Sequence, residues 1–354
     1  CYFAGFYVGW QGGARVGGAT ATAASRVAAA GATCFLLMAI WPVLPVFIAG
    51  SVLAMTASAA AIPLLTQIYQ ENYPEVMRGR LFSRTVMIRI ATAALFSELA
   101  GRALSGQIAS FRALLLVFAL AFAVASFLLA RYPSRPLTSD GGTHPFRSWR
   151  FVRADSLFRR TLVCWMLMGF ANLMMIPMRV EFLANPKYGL VLTVGEIAFF
   201  TGVIPNLARL ILSPIWGWLF DRMNFFILRV VLNTGFAVGI PAFFTSHDLR
   251  GLILGSIVFG ISNAGGDVAW SLWVTKFAPP ERVADYMSVH TFFTGVRGLL
   301  APLVAFHVVA VLSIEKLGLI SVGLIVLSSV LLLPEIKFGK TGRPAGALVE
   351  EVSE

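Results

Sequence analysis

The sequence predicts an all-α protein that crosses a lipid bilayer many times. Three observations carry this. First, 58% of the 354 residues are hydrophobic and only 13% are charged, with a mean hydropathy of +0.80. Soluble domains carry roughly twice that charged share. Second, the charges cluster, so that 27–70, 113–130 and 317–334 contain no Asp, Glu, Lys or Arg. Third, the alternation over about ten residues that marks a membrane β-barrel is absent, and otherwise a bilayer admits only helices.

A span needs about 20 apolar residues. The stretches 113–130 and 317–334 are therefore one span each. The stretch 27–70 makes two, turning at Pro42 and Pro45. Hydropathy breaks and Pro/Gly punctuation place the full set at about 1–14 (partial), 20–41, 44–70, 80–107, 112–131, 161–183, 195–219, 227–246, 251–276, 284–310 and 314–334. The one long polar segment, 131–160, holds seven arginines against two aspartates, which places it in the cytoplasm by the positive-inside rule. Alternation puts Arg78, Arg80 and Arg84, the turns 221–229 and 276–285, and the tail with Lys337, Lys340 and Arg343 on the same side. A bacterial inner membrane is the expected setting. The expected domains are a bundle at 1–131, a basic linker at 132–160, a six-helix bundle at 161–335 and a tail at 336–354.

The net charge of +11 follows from this loop bias and does not call for nucleic acid. Cys1, Cys34 and Cys164 have no paired spacing and read as small hydrophobes, not a disulfide or metal set. No phosphate-binding loop or metal-ligand spacing is present, so no cofactor is expected. The halves on either side of the linker are related. A shift of 205 brings Gly50-Ser51-Val52 onto Gly255-Ser256-Ile257 and Ala59 onto Ala264, and one further residue brings Pro74-Glu75 onto Pro280-Glu281. By this repeat, about one and a half helices are expected before Cys1.

Two six-span halves joined by a basic loop resemble the major facilitator superfamily. The family's loop motif runs Gly, three residues, Asp-Arg, then Gly and basic residues. "GWLFDRMNFFILR" supplies Gly217, Asp221, Arg222 and Arg229, with Asn224 in place of Gly and Phe225 and Phe226 in place of the basic pair. "WQGGARVGGA" keeps Arg15 without the Asp, and "ENYPEVMRGRL" is similar to the turn into the family's fifth helix, with Arg78-Gly79. The exporter signatures of the fourth and fifth helices are missing. The resemblance implies two pseudo-symmetric bundles with about 11 of 12 spans present, and a secondary transporter working by alternating access. It also implies a gating contact of Asp221 with the start of the helix near Arg80, beside Arg78 and Gly79.

Ionisable residues at membrane depth are costly, about 2.5–3.5 kcal/mol at a helix centre, and mark functional paths. The spans enclose Arg89, Glu98, Arg209, Asp267 and Arg297. At 100° per residue, Tyr286, His290, Thr294 and Arg297 share one stripe. Asn263, Asp267 and Trp270 make a second, and Asn206, Arg209 and Ser213 a third. With Asn172, these residues are the expected substrate path. Asp267 and Glu98 are the expected proton-linked carboxylates, because burial raises a carboxyl pKa and a nearby arginine lowers it. Each has a structural alternative. Arg209 and Asp267 could pair merely to lock helices, Glu98 could pair with Arg102, His290 could be a packed histidine, and Trp270 and Trp273 could be interfacial anchors. The methionines Met166, Met168, Met174 and Met175 read as packing.

Three arginines against two acids leave about one excess positive charge, which favours an anionic or zwitterionic solute held by a guanidinium fork. The expected partners are the bilayer, a small-molecule substrate and a coupling proton, and a monomer is expected. The chain does not read as an enzyme, since four histidines offer no evident nucleophile–base set. The alternative is a transporter-like sensor or assembly scaffold.

Overall fold

The computed structural model describes residues 20–106, 110–136, 147–246 and 248–337. The expected partial span at 1–14, the Arg15 motif and the tail from residue 338 onward lie outside them, as do the side chains of Glu98 and Arg102. The described residues form ten long helices and no β-sheet. These are α1 (Thr20–Ile40), α2 (Leu44–Asn72), α3 (Arg78–Gly106), α4 (Phe111–Ala130) and α5 (Ser156–Ala184). They continue with α6 (Val194–Arg222), α7 (Phe225–Phe244), α8 (Leu249–Leu272), α9 (Val283–Val311) and α10 (Ile314–Leu332). Each of the other expected spans falls on one of them, with ends differing by a few residues. Nine are long and apolar enough to cross a membrane. The other is α3, whose arginines lower its hydropathy.

Polar residues set the starts. Asp155 accepts from Phe158 N at 2.9 Å ahead of α5, and Thr193 and Glu196 form a reciprocal capping box at α6. Asp248 accepts from Gly251 N at 3.0 Å at α8, and Ser313 from Lys316 N at 3.4 Å at α10. Each satisfies a backbone donor that the first turn leaves free. Asn224, the departure from the family motif, has the same use: its Oδ1 accepts from Phe226 N at 2.8 Å to open α7, and its Nδ2 donates to Ile336 O at 2.6 Å. Pro205 cannot donate to the helix ladder, and α6 widens into a π-turn over Phe199–Val203 just before it.

By internal contacts the described residues fall into two compact units. One holds the residues up to Pro74, Ala91 to Phe151 and Ala278 to Gly295; the other holds Glu75 to Ile90, Val152 to Phe277 and from Val296 onward. In the first unit α1 packs on α2 and α4. Small side chains line the α1–α2 seam, among them Ala21, Ala24, Ala57 and Ala60, as close-packed membrane helices require. The start of the linker is tied to these helices: Ser134 Oγ accepts from Ala21 N at 2.8 Å, and Glu71 Oε2 accepts from Arg135 N at 3.0 Å.

In the second unit α7 packs on α8 and α10, α5 on α10, and α6 on α8. The duplication is visible in register. Thr20 and Phe225, Leu44 and Leu249, and Arg78 and Val283 begin corresponding helices 205 residues apart. α1 with α2 and α4 thus repeats as α7 with α8 and α10. The repeated glycines explain themselves: a Cβ on Gly50 would meet Met38 Cγ at 2.5 Å, and one on Gly255 would meet Phe243 Cα at 2.8 Å. Met38 and Phe243 are themselves 205 apart. Large apolar side chains left exposed, such as Leu116, Leu120, Val124 and Phe127 on α4, belong to lipid, so this is an integral, multi-pass membrane protein.

Candidate functional site

The sequence-expected charges at membrane depth divide into an open group and an enclosed one. The open group centres on Asp267. From α8 its Oδ2 accepts from Arg209 Nη2 at 2.6 Å and from Arg209 Nε at 3.2 Å. Its Oδ1 lies 3.6 Å from Arg89 Nη2 on α3. Arg209 is further oriented by Asn206, whose Oδ1 accepts from Nη1 at 2.8 Å. The side chains of Asp267 and Arg209 are 23% and 24% exposed, and that of Arg89 is 59% exposed. Two guanidinium groups therefore share one partly exposed carboxylate. On α8, Asn263, Gly266, Asp267 and Trp270 are half-buried, while Ala264, Gly265, Val268 and Ala269 between them are buried. The polar stripe is this helix's partly open face.

The α9 stripe is different. Tyr286, His290 and Arg297 are all buried, at 1%, 0% and 9% exposure. Tyr286 packs against Phe151 with tilted rings, their centroids 4.9 Å apart. Arg297 Nη1 donates to Trp165 O on α5 at 2.6 Å, and a Cβ on Gly169 would fall inside its guanidinium. Asn172, also on α5, is half-buried, with an enclosed Oδ1 that no donor among the described residues reaches. Trp273 is fully buried, stacked on Phe158 at 5.5 Å, so it is no interfacial anchor. Met168, Met174 and Met175 are core residues.

The loop-motif residues meet at the start of α3. Asp221 Oδ1 accepts from Gly79 N at 2.6 Å and Oδ2 from Arg80 N at 3.0 Å, with Arg80 Nε 3.5 Å away. The Asp221 side chain is fully enclosed. It sits where the first backbone donors of α3 and the positive end of its dipole converge. The approach needs glycine on both helices: a Cβ on Gly79 would collide with Gly217 O, and one on Gly217 would meet Gly79 O at 2.5 Å. Arg78 is buried beside this contact. Arg222 instead lies over the Trp218 ring at 4.8 Å, and Arg229 is fully buried over Trp165.

Three residues escaped the sequence reading. Arg179 on α5 is 7% exposed and lies 3.5 Å over the Phe259 ring; its signal was the same as that of Arg209, a lone arginine in an apolar run. Arg160 pairs with the buried Glu335 at 2.7 Å. Gln67 carried no signal, being one uncharged residue near a helix end. Its Oε1 accepts from Ala284 N at 3.1 Å and its Nε2 donates to Pro280 O at 2.8 Å. Ala284 stands 205 residues after Gly79, so corresponding helix starts are capped by Asp221 in one repeat and by a neutral amide in the other. Gln67 also borders a cavity of about 460 Å³ with Glu71, Arg135 and Glu281, which none of the expected substrate-path residues lines.

Gln67→Leu would orphan one buried backbone donor, Ala284 N, at about 1–3 kcal/mol, and leave the exposed Pro280 carbonyl to water. We expect amide exchange at 283–287 to accelerate about tenfold or more. Unchanged exchange would make the two bonds incidental.

Comparison with known proteins comes to the same architecture. Residues 183–350 match the family model described as Major Facilitator Superfamily. No curated protein matches the chain in sequence. Among solved structures, the human organic anion transporter MFSD10 (TETRAN) is similar at TM-score 0.74 and 14% identity, over 94% of this chain and 81% of that one. The E. coli fucose:proton symporter FucP gives 0.70 and 13%, over 96% and 89%. The proton:xylose symporter XylE gives 0.71 and 15%, over 95% and 83%. At these identities the likeness is one of fold.

Proposed function

We propose a secondary transporter of a small anionic or zwitterionic solute that works by alternating access, for a chain whose residues 183–350 match the Major Facilitator Superfamily model and whose fold is similar to solved transporters over nearly its whole length. The observation that carries the substrate class is the sharing of one carboxylate, Asp267, by Arg89 and Arg209. Arginine does not lose its proton at any working pH, so the group has one positive charge in excess. Of the five N–H donors of Arg209, three are used by Asp267 and Asn206, which leaves two for a substrate carboxylate or phosphate. Arg89 holds Asp267 more loosely and is more exposed, so it is the arm free to close on that group. Asn206, Asn263 and Trp270 line the same open face, and Asp267 is the carboxylate through which a proton is coupled. The structural neighbours, one an organic anion transporter and two proton symporters, support both halves of this reading. The seven arginines of 131–160 support an orientation with the linker and tail in the cytoplasm of a bacterial inner membrane.

The test is uptake into proteoliposomes with the outside more acid than the lumen, using labelled carboxylates, sugar phosphates, amino acids and neutral sugars. We expect accumulation of a carboxylate, phosphate or zwitterion, with competition only among charged solutes. Uptake confined to neutral sugars would overturn the substrate class, and no uptake of any solute would favour a sensor or scaffold.

A further inference from the structure

The transport reading leaves the cavity at the end of α2 unused. Its volume of about 460 Å³ lies within the range of about 300–1,000 Å³ usual for small-molecule sites. Gln67, Gln70 and Glu71 line it from α2, Arg135 from the linker and Glu281 from the turn ahead of α9. The three α2 residues are three and four apart and so share one face of that helix.

The other two charged walls are pinned by their backbones. Arg135 N donates to Glu71 Oε2 at 3.0 Å, and Arg135 O accepts from Thr20 N at 3.2 Å and from Thr20 Oγ1 at 3.0 Å. Pro280 O, directly before Glu281, accepts from Gln67 Nε2 at 2.8 Å. The side chains that spring from these fixed points are unused. Among the described residues, neither the Arg135 guanidinium nor the Glu281 carboxylate makes a hydrogen bond or an ion pair. Opposite charges therefore line one cavity without pairing across it. Glu71 adds a second carboxylate. Its Oε1 accepts from Gln67 Nε2 at 3.0 Å, and each of its oxygens keeps a further acceptor site.

Exposed charges on a flat surface are satisfied by water alone. Here they surround a space of ligand size on a backbone already held in place, which lowers the ordering cost of binding. Two carboxylates against one guanidinium leave one negative charge in excess. The complement is a small molecule with one anionic and two cationic ends. We propose that this cavity binds a zwitterion with one surplus ammonium group, of the class of the basic amino acids. Its carboxylate meets the Arg135 fork, and its ammonium groups meet Glu71 and Glu281. Bound there, it clasps α2, the linker and the turn ahead of α9, and so reinforces the Gln67 cap on Ala284 N. The site is separate from the Arg89–Asp267–Arg209 group and does not depend on its role.

The test uses the full chain in detergent, with L-lysine as the probe and amide exchange at 283–287 as the readout. At constant ionic strength, L-lysine should slow this exchange saturably, by about threefold at twice its Kd. Cadaverine, which is L-lysine without the carboxylate, should need about tenfold more, and glutarate, which lacks the amines, should have no effect. Arg135→Gln should erase the difference between L-lysine and cadaverine, and Glu281→Gln should weaken both about tenfold. Neither side chain bonds within the described residues, so both variants should keep wild-type exchange when no ligand is present. Exchange unmoved by L-lysine, slowed equally by cadaverine, or slowed as much in both variants as in wild type would overturn the proposal.

Discussion

Asp267→Asn is expected to abolish pH-driven accumulation while the protein still folds and still exchanges substrate across the membrane. Import of a monoanion with one proton is electroneutral, and a gradient of one pH unit then supports about tenfold accumulation. Removing the only carboxylate of the group removes the proton site, so the accumulation ratio should fall to about one. Binding should not be lost with it. The amide preserves the shape, and Arg89 and Arg209 then both lack a counter-charge, so an anionic substrate should be held more tightly and released more slowly. Because Asp267 and Arg209 are about a quarter exposed, solvent screening keeps the folding cost to about 1–2 kcal/mol. The measurements are concentrative uptake, counterflow exchange and thermal unfolding of one preparation. Undiminished accumulation in the variant would remove Asp267 from coupling. Loss of folding with loss of both transport modes would make the Arg209–Asp267 pair a helix lock.

How far this site could be read from sequence follows from what hydropathy measures. It measures preference for lipid over water, so it found the spans, and the fixed offset of 205 survives in the starts of three helix pairs because duplication preserved their lengths. The caps Asp155, Thr193, Asp248 and Ser313 stand directly before the helices they open, a local pattern that the hydropathy reading did not use. That preference does not tell a water-filled path from a packed interior, since a polar residue kept from lipid can sit in either. Arg209 and Arg297 therefore looked alike as lone arginines on polar stripes. Only three-dimensional packing distinguishes Arg209, a quarter exposed against a carboxylate, from Arg297, which is enclosed against a carbonyl on α5. Gln67 was invisible for a further reason, because its two bonds join residues more than 200 positions apart and no local pattern encodes them.

Asp221→Asn should shift the balance between the two states of an alternating-access cycle by about ten- to a hundredfold. The resemblance places the Asp221 contact in the state closed to the cytoplasm. There the carboxylate accepts two backbone donors of the α3 start, at 2.6 and 3.0 Å, from a fully enclosed position. Hydrogen bonds to a charged group contribute about 1.5–3 kcal/mol, and the helix dipole adds to the same sign. An asparagine offers one acceptor and points an NH2 at the other donor, so it loses the charge and one bond together. A difference of about 1.4 kcal/mol is about tenfold in a two-state equilibrium. Gly217→Val should act in the same direction by another route, since any Cβ there meets Gly79 O at 2.5 Å and backbone cannot swing aside as a side chain can. Its effect should exceed that of Asp221→Asn, and the double variant should add little, because helices already held apart have no cap to lose. Paired spin labels at the start of α3 and the end of α6 would read both. The expected result is a longer distance population in each variant, larger for Gly217→Val. Identical distance distributions in wild type and Asp221→Asn would show that the capping bonds do not bias the cycle.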